Sequence, residues 1–194
     1  LIMLSLKLEN ESSTLLLGSA IGKIIEKIDP LDFEVHLNGN LGAGKTTLVR
    51  GILEYLNWQD VVTSPSYTLC EEYEIGGRLL LHVDLYRINC PEDVEILNLD
   101  RETTLQKIVF IEWPENLQTD RDVDVIINLN HDNKARNVLI KCKDIDIESS
   151  IATISGCKYF FFSFNWGISS LCIFYQMINY IINFYTFGFC IEIR

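Results

Sequence analysis

The chain has 194 residues and a formal net charge of -11, enough length for one domain with its own core and no disulfide staples. Nucleic-acid affinity rests on basic side chains displacing counterions from phosphates, so an acidic chain is a poor candidate to grip RNA or DNA unaided; no DNA is expected, and an RNA would be reached through a more basic protein. The six cysteines show no spacing for a zinc knuckle or redox pair, and no basic-then-apolar leader opens the chain, so reduced thiols and a cytoplasmic location are expected.

Met3 is the expected start, and residues 3–150 read as one mixed α/β domain. Residues 4–8 alternate weakly, as an edge strand does. Ser12 or Ser13 is placed to cap a helix carrying Leu16, Ala20, Ile21, Ile24 and Ile28, with Pro30 beyond its end. Residues 33–37 form a short apolar strand feeding a Gly-rich loop. After the loop, residues 46–56 carry Leu48, Ile52, Leu53 and Leu56 at helical spacing.

Residues 69–75 and 78–83 read as two strands turned at Gly76-Gly77. Pro91, followed by Glu92 and Asp93, marks a helix start. Residues 108–111 are a fully apolar strand, and 124–129 and 137–141 alternate across a turn at 131–134. The sum predicts an α/β fold: a P-loop NTPase-like mixed β-sheet flanked by helices, with a C-terminal hairpin.

Residues 151–194 have a different composition. Between Tyr159 and Ile191 there is no Asp, Glu, Lys or Arg, and eight of the ten Phe lie there. Such a run is long enough to cross a bilayer, but Ser163, Asn165, Gln176, Asn179 and Asn183 interrupt it, and only Lys158 and Arg194 flank it. A membrane anchor, a partner-facing element and non-native sequence are the three readings. The abundance of Phe, Ile, Asn and Tyr favours the last. No function is placed on this tail.

Gly39-Asn40-Leu41-Gly42-Ala43-Gly44-Lys45-Thr46 matches the pattern of Gly, four residues, Gly, Lys and Ser/Thr. Its glycines let the backbone curl with N–H groups turned toward phosphate oxygens, and the following helix adds free amides and the positive end of its dipole. Lys45 reaches the β- and γ-phosphates, and the Thr46 hydroxyl suits magnesium. An apolar strand before the loop and an amphipathic helix after it make this a triphosphate site, expected to take ATP with Mg2+.

Two apolar strands end in acids, at Asp84 and at Glu112. Strand C-termini open onto the ligand crevice of α/β sheets, so both plausibly face the phosphates; a solvated strand end is the alternative. Trp113 either shields the γ-phosphate or wedges into the core. His82 reads as structural rather than catalytic, and His36 and His131 carry no signal. The loop Thr63-Ser64-Pro65-Ser66-Tyr67-Thr68 is either a capped turn set by Pro65 or a segment whose order depends on the γ-phosphate.

Together, the Gly-rich loop through Thr47, Ser64-Pro65-Ser66-Tyr67-Thr68, His82-Val83-Asp84-Leu85-Tyr86-Arg87 and Ile111-Glu112-Trp113 resemble, in order and spacing, the TsaE (YjeE) family. The resemblance covers about residues 5–142. It implies the small ATPase of bacterial tRNA threonylcarbamoyladenosine synthesis, a partner of the TsaB–TsaD pair, with tRNA reached only indirectly through that complex. By the resemblance Lys45, Asp84 and Glu112 serve catalysis, and Thr46 and Glu112 hold Mg2+. The implied nucleotide contacts are Thr14, Asn40, Leu41, Gly42, Ala43, Gly44, Lys45, Thr46, Thr47, Trp113 and Arg136. Asn40 stands where Asp is usual and Ser66 where Thr is usual. Asn57 and Asn98 stand where Gly is usual, which predicts a left-handed backbone at both. Family members end near residue 150 of this numbering.

The leading expectation is therefore an ATPase subunit, weak alone and stimulated by its partners. A small-molecule kinase on the same loop would need an acceptor pocket and usually an Arg-rich lid, whereas Arg101, Arg121 and Arg136 are scattered. A nucleotide-gated scaffold without physiological hydrolysis is the third reading.

Overall fold

The fold is seen in a computed structural model, which describes residues 2–143 apart from 28–31, 89, 91, 118 and 133–134. The tail at 151–194, the domain limit at 150, and Ile28, Pro30 and Pro91 lie outside the described residues. The elements in chain order are β1 (Ile2–Leu8), α1 (Glu11–Ile25), β2 (Asp32–Asn38), α2 (Lys45–Tyr55), β3 (Cys70–Ile75), β4 (Arg78–Asp84), α3 (Glu92–Ile96), β5 (Gln106–Glu112), a 3-10 turn (Pro114–Asn116), β6 (Val125–Asp132) and β7 (Ala135–Cys142).

They build a seven-stranded sheet in the order β1-β7-β6-β2-β5-β4-β3. The central strands β6, β2, β5 and β4 are parallel. Antiparallel β3 closes one side, and β7 followed by β1 closes the other, so this is the mixed α/β sheet that the sequence predicts. Gly76 and Gly77 sit at φ 57 and 79, the pair of left-handed residues that a two-residue hairpin turn requires. Asn57 and Asn98, at φ 73 and 46, adopt the left-handed backbone expected of them. His131 lies within β6, paired with Arg136 of β7, and not in the turn.

Helix α1 corrects the sequence reading at its cap and at Leu16. Its cap is Asn10, whose side chain accepts the Ser13 N–H at 3.0 Å; neither Ser12 nor Ser13 is the cap. Leu16 is 51% exposed while Leu17 is buried. The reason is that α1 meets α2 through small residues: a Cβ on Gly18 would lie 2.4 Å from Leu48 O, and one on Gly51 2.4 Å from Leu15 O. Ala20, Ile21 and Ile24 are buried as the sequence predicts, and close backbone approach at Gly18 and Gly51 fixes how tightly that face meets α2.

Alternation along the strands splits the core into two layers. Leu80 of β4 and Ile108 and Phe110 of β5 pack with Leu48, Val49 and Ile52 of α2. Leu79, Leu81, Val83, Val109 and Ile111 face the other way, onto Leu85 and Leu99. His82, Asp84 and Glu112 continue the first series, so they emerge on the α2 side of the sheet at the C-terminal ends of parallel strands.

Candidate functional site

The Gly-rich loop leaves β2 at Gly39, where φ is 145 and a Cβ would lie 2.3 Å from Leu129 O of β6; only glycine lets the chain turn this close to the neighbouring strand. Gly44 opens α2 at φ 102, with no side-chain cap and no acid in the first turn. By contrast α1 is capped by Asn10 and starts with Glu11. The first amides of α2 and the positive end of its dipole are thus left for an anion. The loop is braced by Ala43 N–H donating to Asn40 O at 3.0 Å and by Arg136 Nε donating to Ala43 O at 2.9 Å.

Lys45 is 4% exposed. Its ammonium donates to Gly39 O at 2.6 Å and to Asn40 O at 3.3 Å, and lies 4.0 Å from the Trp113 ring centroid. Among the described residues no carboxylate reaches ion-pair distance of it. Burial pushes its pKa down, against the opposing pull of Glu112, Asp84 and Glu115. A buried cation resting on neutral carbonyls is placed to accept an anion that outcompetes them.

Asp84 and Glu112 are register partners on adjacent parallel strands, each 3% exposed. Thr46 Oγ1 donates to Glu112 Oε1 at 2.8 Å, and His82 Nε2 lies 2.9 Å from the same oxygen. The Ser64 hydroxyl donates to Asp84 Oδ2, and the Tyr86 N–H to Asp84 Oδ1 at 3.0 Å. Trp113 follows Glu112 in a left-handed conformation at φ 59, a strained choice for a bulky side chain. That turn sets its indole between Lys45 and Tyr86, whose ring is 5.0 Å away. The indole is thus neither a simple core wedge nor free in solvent.

No group of three or more His, Cys, Asp or Glu that could hold a metal occurs among the described residues. The Thr46 hydroxyl with the Glu112 carboxylate is instead an all-oxygen pair, suited to a hard cation that takes its remaining ligands from phosphates and water, as magnesium does.

The family model described as "Threonylcarbamoyl adenosine biosynthesis protein TsaE" matches residues 8–138. The chain belongs to the TsaE family. A TsaE protein from Haemophilus influenzae is 40% identical over 131 residues, covering 66% of this chain and 83% of the relative. A TsaE protein from a Nostoc species is 38% identical over 119 residues, covering 59% and 70%. The crystal structure of Bacillus subtilis YdiB superposes with a TM-score of 0.59 at 24% identity, over 80% of this chain and 95% of that one, and shows the same fold. Membership places the chain in tRNA threonylcarbamoyladenosine biosynthesis. No helix among the described residues is long and apolar enough to cross a membrane.

Within this TsaE-family fold, Lys45, Thr46, Asp84, Glu112 and Trp113 converge as the sequence motifs suggest. Asn40 and Leu41 form the exposed crest of the loop. Thr14 is fully buried on the α1 face that carries Gly18, and its hydroxyl donates to Asn10 O at 3.3 Å. Arg136 braces the loop, its Nε donating to Ala43 O. The sequence reading misses three contacts. His82 joins Glu112, Ser64 joins Asp84, and His131 Nε2 lies 3.7 Å from where a Gly42 Cβ would stand. Two-residue alternation, which puts His82 on the Asp84 face, was the available signal for the first.

Proposed function

We propose that this chain is an ATP-binding and ATP-hydrolysing subunit that supports turnover of a TsaB–TsaD-like threonylcarbamoyl transferase, working in the cytoplasm and reaching tRNA only through that complex. The observation that carries the reading is the Thr46–Glu112 hydrogen bond, which ties the first turn of the loop helix to the end of β5, beside a lysine with no carboxylate partner among the described residues.

In this reading the loop amides and the N-terminus of α2 hold the phosphates, and Lys45 exchanges the Gly39 and Asn40 carbonyls for phosphate oxygens. Thr46 and Glu112 hold Mg2+. When bound, the metal neutralises charge on the β- and γ-phosphates and orients them. Asp84, gripped by Ser64 and the Tyr86 amide, supplies the second carboxylate beside the reacting phosphate. Trp113 covers Lys45 and limits water at the phosphate end of the site.

The test is phosphate release from ATP by the full chain, alone and with a TsaB–TsaD pair. The expected result is slow release alone, stimulation by the pair, and loss of magnesium-dependent turnover in Glu112→Ala. Full turnover in Glu112→Ala would sink the site assignment. A phosphorylated small molecule among the products would point to a kinase, and nucleotide binding without stimulated release would point to a scaffold.

A further inference from the structure

His82 is fully buried on β4, one step back from Asp84 on the α2 face, and the proposed hydrolysis does not use it. Its Nε2 lies 2.9 Å from Glu112 Oε1, the oxygen that also accepts from Thr46. Its Nδ1 is buried with no hydrogen-bond partner among the described residues. A carboxylate oxygen accepts, so Nε2 carries the hydrogen and donates, leaving Nδ1 as a bare lone pair. A half-satisfied imidazole beside Leu80 and Phe110 is costly in a layer where an apolar side chain would pack without penalty. Among the described residues its one hydrogen bond goes to Glu112, and both side-chain donors to that carboxylate fall on Oε1.

We propose that His82 is a positioning residue for a divalent cation. By donating to Oε1 it holds the Glu112 carboxylate in the rotamer that meets Thr46, so the hydroxyl–carboxylate pair is preformed before a metal–triphosphate arrives. The inference rests on reading Thr46 and Glu112 as magnesium ligands. Partners that orient a metal ligand from behind are a general feature of metal sites.

The test is calorimetric titration of the full chain with the β,γ-imido analogue of ATP, in magnesium and in EDTA, for wild type, His82→Gln and His82→Asn. Glutamine reaches as far as imidazole Nε2, and asparagine only as far as Nδ1. The affinity gained on adding magnesium is expected to stay within about threefold of wild type in His82→Gln and to drop on the order of tenfold or more in His82→Asn. In EDTA all three should bind alike, because Lys45 and the loop amides are untouched.

Equal magnesium dependence in all three proteins overturns the role of His82 and leaves the reading of Glu112 standing. A wild type with no magnesium dependence removes that reading and the role of His82 with it. An His82→Asn protein weakened equally in EDTA reports general damage and also overturns the proposal. Should the Asn variant not fold, His82→Leu, which fills the site without a donor, takes its place: a magnesium gain reduced on the order of tenfold supports the role, and a gain equal to wild type overturns it.

Discussion

At the N-terminal ends of the parallel strands, Arg121 donates to both Glu34 oxygens at 2.9 Å and to Asp100 at 2.8 and 3.1 Å. Lys107 pairs with Asp32 at 3.4 Å and Lys143 with Asp122 at 2.6 Å. At the C-terminal ends of the same strands, Lys45 meets only carbonyls and an aromatic ring among the described residues. The first region encloses a cavity of about 420 Å³ lined by Asp32, Glu34, Asp100 and Arg121 among others, yet its cations are already matched by carboxylates. The second has the charge that is not. The presence of a cavity is not by itself the guide here; the state of pairing is the better one, because an unmatched buried charge is the costly feature that needs a ligand to explain it.

The comparison breaks most visibly at Arg121. Arg121→Met leaves Glu34 buried without its guanidinium and is expected to cost about 3 kcal/mol of stability, read by urea unfolding, while triphosphate affinity stays within about twofold. The pH dependence should change too. Burial, the largest influence on Glu34, pushes its carboxyl up, but hydrogen bonds from His36 and Arg121 outweigh it and hold the pKa below the usual value. A depressed carboxylate stabilises the fold above the unfolded-state pKa and loses that contribution as pH falls through the folded-state pKa. Acid unfolding curves of Arg121→Met should therefore be flatter than those of the native chain.

Lys45→Met should show the opposite pattern. Triphosphate affinity, measured by calorimetry, is expected to fall about 100-fold, the worth of a charge-assisted contact. Stability without nucleotide should not fall, because burial disfavours the charged ammonium and methionine keeps the buried stem. The folded-state pKa lies below the unfolded one, so this cost is present at neutral pH and is relieved as pH rises through the folded-state pKa.

Gly51→Ala probes the packing that places α2. The added Cβ would meet Leu15 O at 2.4 Å, costing toward the top of the ~1–3 kcal/mol range for overpacking. That exceeds the ~1 kcal/mol of helix propensity gained, so a net loss in thermal stability is expected. The smallest effect is at Asn57, where Asn57→Gly relieves a left-handed asparagine at φ 73 and should raise stability by a few tenths of a kcal/mol, roughly.

Much of this architecture is legible in the sequence because it is local. The apolar run of β2, the glycines of the loop, the spacing of α2 and the Gly76-Gly77 turn each carry their own signal, and strands ending in Asp84 and Glu112 reveal which edge of the sheet is loaded. What the sequence hides is what strand order brings together. Arg121 meets Glu34 only because β2 lies between β5 and β6, and Arg136 reaches Ala43 only because β7 folds back along β6. On α1 the sequence marks Ala20, Ile21 and Ile24 correctly and misplaces only Leu16; the close approach at Gly18 and Gly51 has no hydrophobic signature to signal it.

The most direct measurement is a crystal structure of the full chain grown with magnesium and the β,γ-imido analogue of ATP. The account predicts phosphates on the amides of residues 42–46, Lys45 moved from the Gly39 and Asn40 carbonyls onto phosphate oxygens, and a metal on Thr46 Oγ1 beside Glu112. A triphosphate seated in the Glu34–Arg121 cavity, with Lys45 still on its carbonyls, would contradict it.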